Sequence, residues 1–183
     1  MRISRVYVSD RRIEMRRRSM KTMKKVFAVV LVGAMGLSLA ACGGKKAKQL
    51  TAKEFKKVMK AEDYSVSEGN DDDYEEYLIA VDEDKEIQVN YYLFEDSGDA
   101  KDYFEEGIDT MEEWKDEYDM DGSVKKSGNK FVADLSGEDD DGDEGGIYLV
   151  CVRSGEMVIT ATTYEVDKST KKKVDSIIDT LCY

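Results

Sequence analysis

Ile147-Tyr148-Leu149-Val150-Cys151-Val152 is an uninterrupted apolar run, and a run of that kind reads as a strand buried on both faces in the middle of a sheet. Ser154-Gly155 then turns the chain tightly into Met157 to Tyr164, whose alternating pattern marks a second strand paired with the first. Upstream, Leu78 to Val81 and the series Ile87, Val89, Tyr91, Leu93 read as another hairpin joined through Asp82 to Lys85. A third hairpin runs from Val124 to Phe131–Leu135 about Ser127-Gly128-Asn129, and Tyr64 to Val66 forms a short strand. The acidic stretch from Gly137 to Gly146 reads as a loop leading into the apolar run.

Three helices punctuate these strands. Thr51 with Glu54 makes a capping box, and Leu50 with Phe55 a hydrophobic staple, ahead of Val58 and Met59 on the same face. Asp96 or Ser97 caps the second helix, where Ala100, Tyr103, Phe104, Ile108, Met111, Trp114 and Tyr118 recur at helical spacing and are expected to face the core. Asp167 caps the last, with Val174, Ile177, Ile178 and Leu181 as its apolar stripe. Hairpins without repeated βαβ crossovers predict an α+β domain, a mainly antiparallel sheet with three helices packed on it.

The two ends of the chain differ in character. Residues 1–41 hold ten of the 28 Lys and Arg but two of the 40 acidic residues. The 142 residues from Cys42 onward therefore carry 18 basic and 38 acidic groups, a formal charge of −20. Within the basic leader, Lys21, Lys24 and Lys25 precede sixteen uncharged residues from Val26 to Ala41. That pattern is a signal peptide, since a permanent span of the roughly 30 Å hydrocarbon core needs about 20 apolar residues. Residues 1–19 precede this complete signal and are set aside from fold reasoning. Arg17-Arg18 lacks the apolar pair that a twin-arginine signal carries and reads as solvated charge.

The leader ends Leu39-Ala40-Ala41-Cys42, which resembles the lipobox of bacterial lipoproteins. The resemblance implies recognition of Leu39, Ala40 and Ala41 by the signal peptidase, a diacylglycerol on the Cys42 thiol, and a mature chain beginning at Cys42 outside the cytoplasm. Residues 42–50 form a lipidated cysteine and short basic tether, in which Lys45, Lys46 and Lys48 can each add about 1 kcal/mol of attraction to anionic headgroups. Residues 51–183 form one domain. Its element order, with the Val152-Arg153-Ser154-Gly155 hairpin before a terminal helix ending Leu181-Cys182-Tyr183, is similar to small lipoproteins of Gram-positive bacteria. It departs from them at Glu156, where they often carry Asn, and the similarity implies no activity.

Histidine is absent, which removes Ser-His and Cys-His nucleophile systems and the commonest zinc ligand. Carboxylate pairs suffice for glycosidase chemistry, but clusters such as Asp71-Asp72-Asp73 single out no pair, so a surface enzyme using carboxylates, with calcium, is the alternative and not the first reading. Two segments approach a calcium loop. Glu117 to Gly122 begins one with Glu in place of Asp and has Gly128 at the twelfth position; the stretch around Asp139, Asp141 and Gly142 has Gly137 first and Tyr148 twelfth. No metal or other cofactor is expected beyond the lipid on Cys42. Cys151 and Cys182 are candidates for a disulfide outside the cell.

Strand alternation also supplies a candidate ligand face. If Ile87, Val89, Tyr91, Leu93, Met157, Ile159 and Ala161 point toward the helices, then Gln88, Asn90, Tyr92, Thr160, Thr162 and Tyr164 share the opposite face. Amide, hydroxyl and aromatic groups in that mixture suit a protein, peptide or glycan ligand, with rings supplying area and polar groups orientation. The strong negative charge repels polyanions and argues against nucleic acid. The first reading is thus a non-catalytic binding or interaction module tethered to the outer face of the cell membrane.

Overall fold

The period-two stretches form strands and the period-3.6 stretches form helices in a computed structural model that describes residues 47–183 apart from Asn70, Asp72, Lys85 and 139–143. In chain order these are α1 (Ala52–Ala61), β1 (Ser65–Glu68), β2 (Glu76–Asp82), β3 (Ile87–Leu93), α2 (Ser97–Glu117), β4 (Asp121–Ser127), β5 (Lys130–Glu138), β6 (Glu144–Ser154), β7 (Met157–Thr163) and α3 (Lys168–Cys182). The described residues belong to one unit beginning at Cys42. The leader, and with it Leu39, Ala40, Ala41 and Cys42, lies outside the described residues.

One seven-stranded antiparallel sheet has the order β1-β2-β3-β7-β6-β5-β4. Two meanders, β1 to β3 and β4 to β7, meet where β3 pairs with β7 from Ile87↔Thr163 to Leu93↔Met157. The sheet therefore has two distinct ends. At one, called here the hairpin end, β6 turns into β7 at Ser154-Gly155-Glu156 and β4 turns into β5, with the Arg153 amide donating to the Asn129 carbonyl at 2.8 Å. Gly155 takes φ +61° there, a left-handed value that a β-carbon disfavours. At the far end β2 turns into β3 beyond Asp82↔Ile87, and β7 ends opposite Tyr148.

Helices cover both faces of this sheet rather than one. On the first face, α1 and α3 pack Phe55, Met59, Val174, Ile178 and Leu181 onto Val89, Tyr91, Val150, Ile159 and Ala161, all essentially buried. On the other, α2 packs Ala100, Phe104, Ile108 and Met111 onto Phe131, Ala133, Leu135, Ile147 and Val158. The reason lies in β5 and β6, whose alternate residues are apolar on this side too. Burying each such side chain is worth about 1.5–3 kcal/mol, enough to hold a helix there. The apolar run Ile147–Val152 is accordingly buried on both faces, one strand from the sheet centre.

Local chemistry fixes where each helix starts. Thr51 accepts from the Glu54 amide while Glu54 accepts from the Thr51 amide at 2.9 Å, the reciprocal box expected from sequence. Asp96 accepts from the amides of Gly98 and Asp99, and Asp167 from those of Ser169 and Thr170. Lysine–carboxylate pairs then tie helices to strands: Lys126 to Glu105, Lys171 to Asp134 and Lys173 to Asp82, each at 2.6 Å. Only the last is largely shielded from solvent, so it contributes most per pair.

Three expectations are corrected. The segment read as tether up to residue 50 is docked from Ala47 onward. Ser154 Oγ donates to the Ala47 carbonyl, the Lys48 amide donates to the Cys182 carbonyl, both at 2.7 Å, and Leu50 is buried. Trp114 and Tyr118 are 37% and 38% exposed instead of facing the core. The buried stripe of α2, Ala100, Phe104, Ile108 and Met111, ends before these two residues, which lie in its last turn and its C-cap. Finally, Cys151 and Cys182 are free, because the first lies with α2's core and the second with the core of α1 and α3, across the sheet from each other. Burial pushes the Cys182 thiol up to about 12 and raises that of Cys151 further, so both stay protonated and inert. Reductant is expected to leave the melting temperature of the purified domain unchanged, and alkylation after unfolding without reductant to modify both thiols; a reductant-dependent loss of stability contradicts the free-thiol assignment.

Candidate functional site

The strand register does bring the six sequence-selected residues onto one sheet face. Gln88 lies opposite Thr162 and Asn90 opposite Thr160 across the β3–β7 pair, Tyr92 continues the face toward the hairpin end, and Tyr164 follows the last residue of β7 at the other. It is the face that α2 partly covers, α2 lying mainly over β4 to β7 and reaching β3 through Tyr103 against Tyr92. The six residues consequently have three different environments.

In the middle, Gln88 Nε2 donates to Asn90 Oδ1 at 2.9 Å, and Asn90 Nδ2 donates to Thr160 Oγ1 at 3.2 Å. Asn90 and Thr160 are each 7% exposed, so the polar groups read as ligand contacts satisfy one another inside the protein. At the hairpin end Tyr92 is buried in an aromatic cluster. Tyr77 stacks on it at 4.8 Å with the rings 14° apart, and Tyr74 and Tyr103 lie at 4.9 and 5.0 Å. Phe94 meets Tyr74 edge-on at 5.1 Å. Gly69 lets the Tyr77 ring approach, since a β-carbon there would fall 2.0 Å from it. Burial raises the Tyr92 phenol far above its ordinary range, helped by the neighbouring hydroxyls of Tyr103 and Tyr77, and keeps it neutral. Tyr92 is thus a packing residue and not a ligand contact.

The far end is open. Gln88 and Tyr164 are exposed, Tyr164 by 48%, and Thr162, Ile79 and Val81 are half-buried on the same face. The C-terminal end of α2 reaches this end as well, bringing Trp114 with Tyr118 set edge-on to it at 6.4 Å. Sequence periodicity named Trp114 and Tyr118 but assigned them to the core. Their exposure marks where the buried stripe of α2 ends, after Met111, which periodicity does not report.

Of the two calcium-loop segments, Glu117 to Gly122 is the last residue of α2, a three-residue connection and the start of β4, so its later positions belong to a strand and not to a ligand loop. The other spans the end of β5, residues outside those described and the start of β6. Among the described residues no group of three or more cysteine or acidic side chains is placed to hold a metal ion.

One carboxylate escaped the sequence reading. Asp175 on α3 accepts from Tyr148 Oη at 2.9 Å, and partial burial raises its pKa against the lowering effect of that bond, with Asp179 and Asp134 pushing it further up. Asp134 is itself held by Lys171. Glu165 is also raised, by burial first and then by Glu86 and Asp167. Neither position carries a local sequence signal, because the perturbation arises from packing against other elements.

The polar ladder has a measurable consequence. Asn90→Ala removes the partner of a buried hydroxyl and is expected to destabilise the domain by about 1–3 kcal/mol, whereas Gln88→Ala, at the wet end, costs under about 0.5 kcal/mol. Urea unfolding measures both, and equal small losses contradict the internal ladder. No protein-family model, curated protein or solved structure matches this chain.

Proposed function

We propose that the protein is a non-catalytic binding module, held by lipid on Cys42 at the extracytoplasmic face of a cell membrane, that engages a protein, peptide or glycan ligand through the far end of the sheet. One observation carries the ligand surface: the exposed aromatic side chains Trp114 and Tyr118, at the end of α2, and Tyr164, just after β7, all belong to the far end of the sheet, where Gln88 is exposed and Thr162 half-buried. Rigid rings flanked by amide and hydroxyl groups are the composition from which binding hot spots are built. The lipid anchor is supported by the lipobox-like Leu39-Ala40-Ala41-Cys42 after a charged, then apolar leader. Among the described residues no helix is long and apolar enough to cross a membrane. A charge of −20 from Cys42 onward favours ligands that are neutral or basic and disfavours nucleic acid.

The raised pKa of Asp175, beside Asp134, favours a second reading in which the domain is a surface enzyme using carboxylates. It is the lesser reading because Tyr148 and Lys171 already bond the two groups, as structural pairs do.

The test has two arms. Cys42→Ala is expected to abolish fatty-acid labelling and release the protein from the membrane; retention of unlabelled protein contradicts the anchor. Crosslinking on intact cells is expected to capture a partner, and Trp114→Ala with Tyr164→Ala to lower that capture about tenfold or more without loss of stability. Capture unaffected by both substitutions removes the ligand surface, and turnover of a cell-wall polymer that Asp175→Asn abolishes replaces binding with catalysis.

A further inference from the structure

We infer that the hairpin end of the sheet is the membrane-facing surface of the domain, pressed against the headgroup layer by a tether too short to let the domain turn over. This rests on the proposed lipid at Cys42 and adds an orientation to it.

The docked segment sets the geometry. Ala47 is fixed by Ser154 Oγ at 2.7 Å, and Lys48 by the Cys182 carbonyl at the C-terminus of α3. Tyr91 Oη donates to the Leu50 carbonyl at 3.1 Å, and the Leu50 amide meets Met157 Sδ at 3.3 Å. All of these partners lie at the hairpin end: Ser154 and Met157 close the β6–β7 turn, and α3 runs from the far end back to it. Ala47 is the first described residue, and Cys42 precedes it by five residues. Five residues span at most about 18 Å when fully extended. The lipid's glycerol sits near the boundary of the hydrocarbon core, and the headgroup layer above it is roughly 5–8 Å thick. Ala47 is therefore confined to within about 10–13 Å of the headgroup surface.

Strands β3 and β7, seven residues each, carry the sheet about 24 Å from that end to the other. A domain attached at its hairpin end can tilt, but full inversion, with the far end on the bilayer and the hairpin end about 24 Å above it, would need Ala47 farther from the surface than five residues reach. Charge on the domain body does not distinguish the two ends, since Glu75, Glu76, Glu95, Asp96 and Glu156 lie at the hairpin end as Glu62, Asp63, Glu83, Asp84 and Glu86 lie at the far end. Only Lys45, Lys46 and Lys48, in or beside the tether, add attraction to an anionic surface. With inversion excluded, the end bearing Trp114 and Tyr164 is on average the farther from the bilayer, where a ligand in the surrounding medium can reach it.

The mature lipidated protein, reconstituted in phosphatidylglycerol and phosphatidylethanolamine vesicles, tests this with a fluorophore at Glu156→Cys in the β6–β7 turn or at Glu83→Cys in the β2–β3 turn. Both sites are exposed, whereas Cys151 and Cys182 are buried. A quencher on the lipid headgroups is expected to quench the Glu156 label several-fold more than the Glu83 label. Equal or reversed quenching overturns the inference. Inserting about twenty Gly and Ser residues after Gly44, a chain of roughly 25 Å mean span, is expected to abolish the difference while vesicle binding persists; a difference that survives overturns the tether as its cause. Failure of the wild-type protein to depend on Cys42 for vesicle binding marks failure of the anchor itself, a separate outcome from bound protein lacking orientation.

Discussion

The antiparallel pairing of β3 with β7 is the contact on which the rest of the fold depends. It joins two meanders whose other strand contacts are local, and it does so across a sequence separation of 70 residues at Asn90 and Thr160. One side of the seam is apolar, with Val89, Tyr91, Ile159 and Ala161 essentially buried under α1 and α3. Its other side carries the amide–hydroxyl bond of Asn90 to Thr160. Closing so long a loop costs chain entropy before any contact is gained, so the seam is stable only because both of its faces are covered or internally satisfied.

The positions of the helices follow from that seam. β3 ends at the hairpin end, and α2 crosses one face from there to reach the edge strand β4; β7 ends at the far end, and α3 returns over the opposite face. Because α3 returns, its C-terminus meets the incoming chain at Lys48, and the segment from Ala47 to Leu50 docks on the domain. The same crossing brings the last turns of α2 to the far end and leaves Trp114 exposed there. The proposed anchor and the proposed ligand surface thereby fall at opposite ends of the sheet, a consequence of chain direction and not of any one side chain.

Much of this was legible in the residues themselves. Period-two alternation located β2, β3 and β7, and the caps at Thr51, Asp96 and Asp167 located the helix starts, because each signal is local and acts through the backbone. The distribution of helices between faces was harder. Asn90 and Thr160 look like solvent-facing residues in a pattern, and only their mutual bond across the seam lets them be buried. The fate of the cysteines was available in principle. Cys151 alternates with Val150 and Val152, the residues that meet α3, so it points away from the helix that carries Cys182. Docking of Ala47 to Leu50 depended on partners more than a hundred residues distant, Ser154 and Met157, and no local pattern reports such contacts.

Native-state hydrogen exchange tests the seam most directly. If β3 and β7 join the two meanders into one cooperative unit, the amides from Val158 to Thr163 and their partners in β3 exchange only through global unfolding, at a free energy equal to that from denaturant titration. Should β5 and β6 keep their protection while β3 exchanges through a lower-energy opening, the two meanders are separate units, and the account built on their junction is wrong.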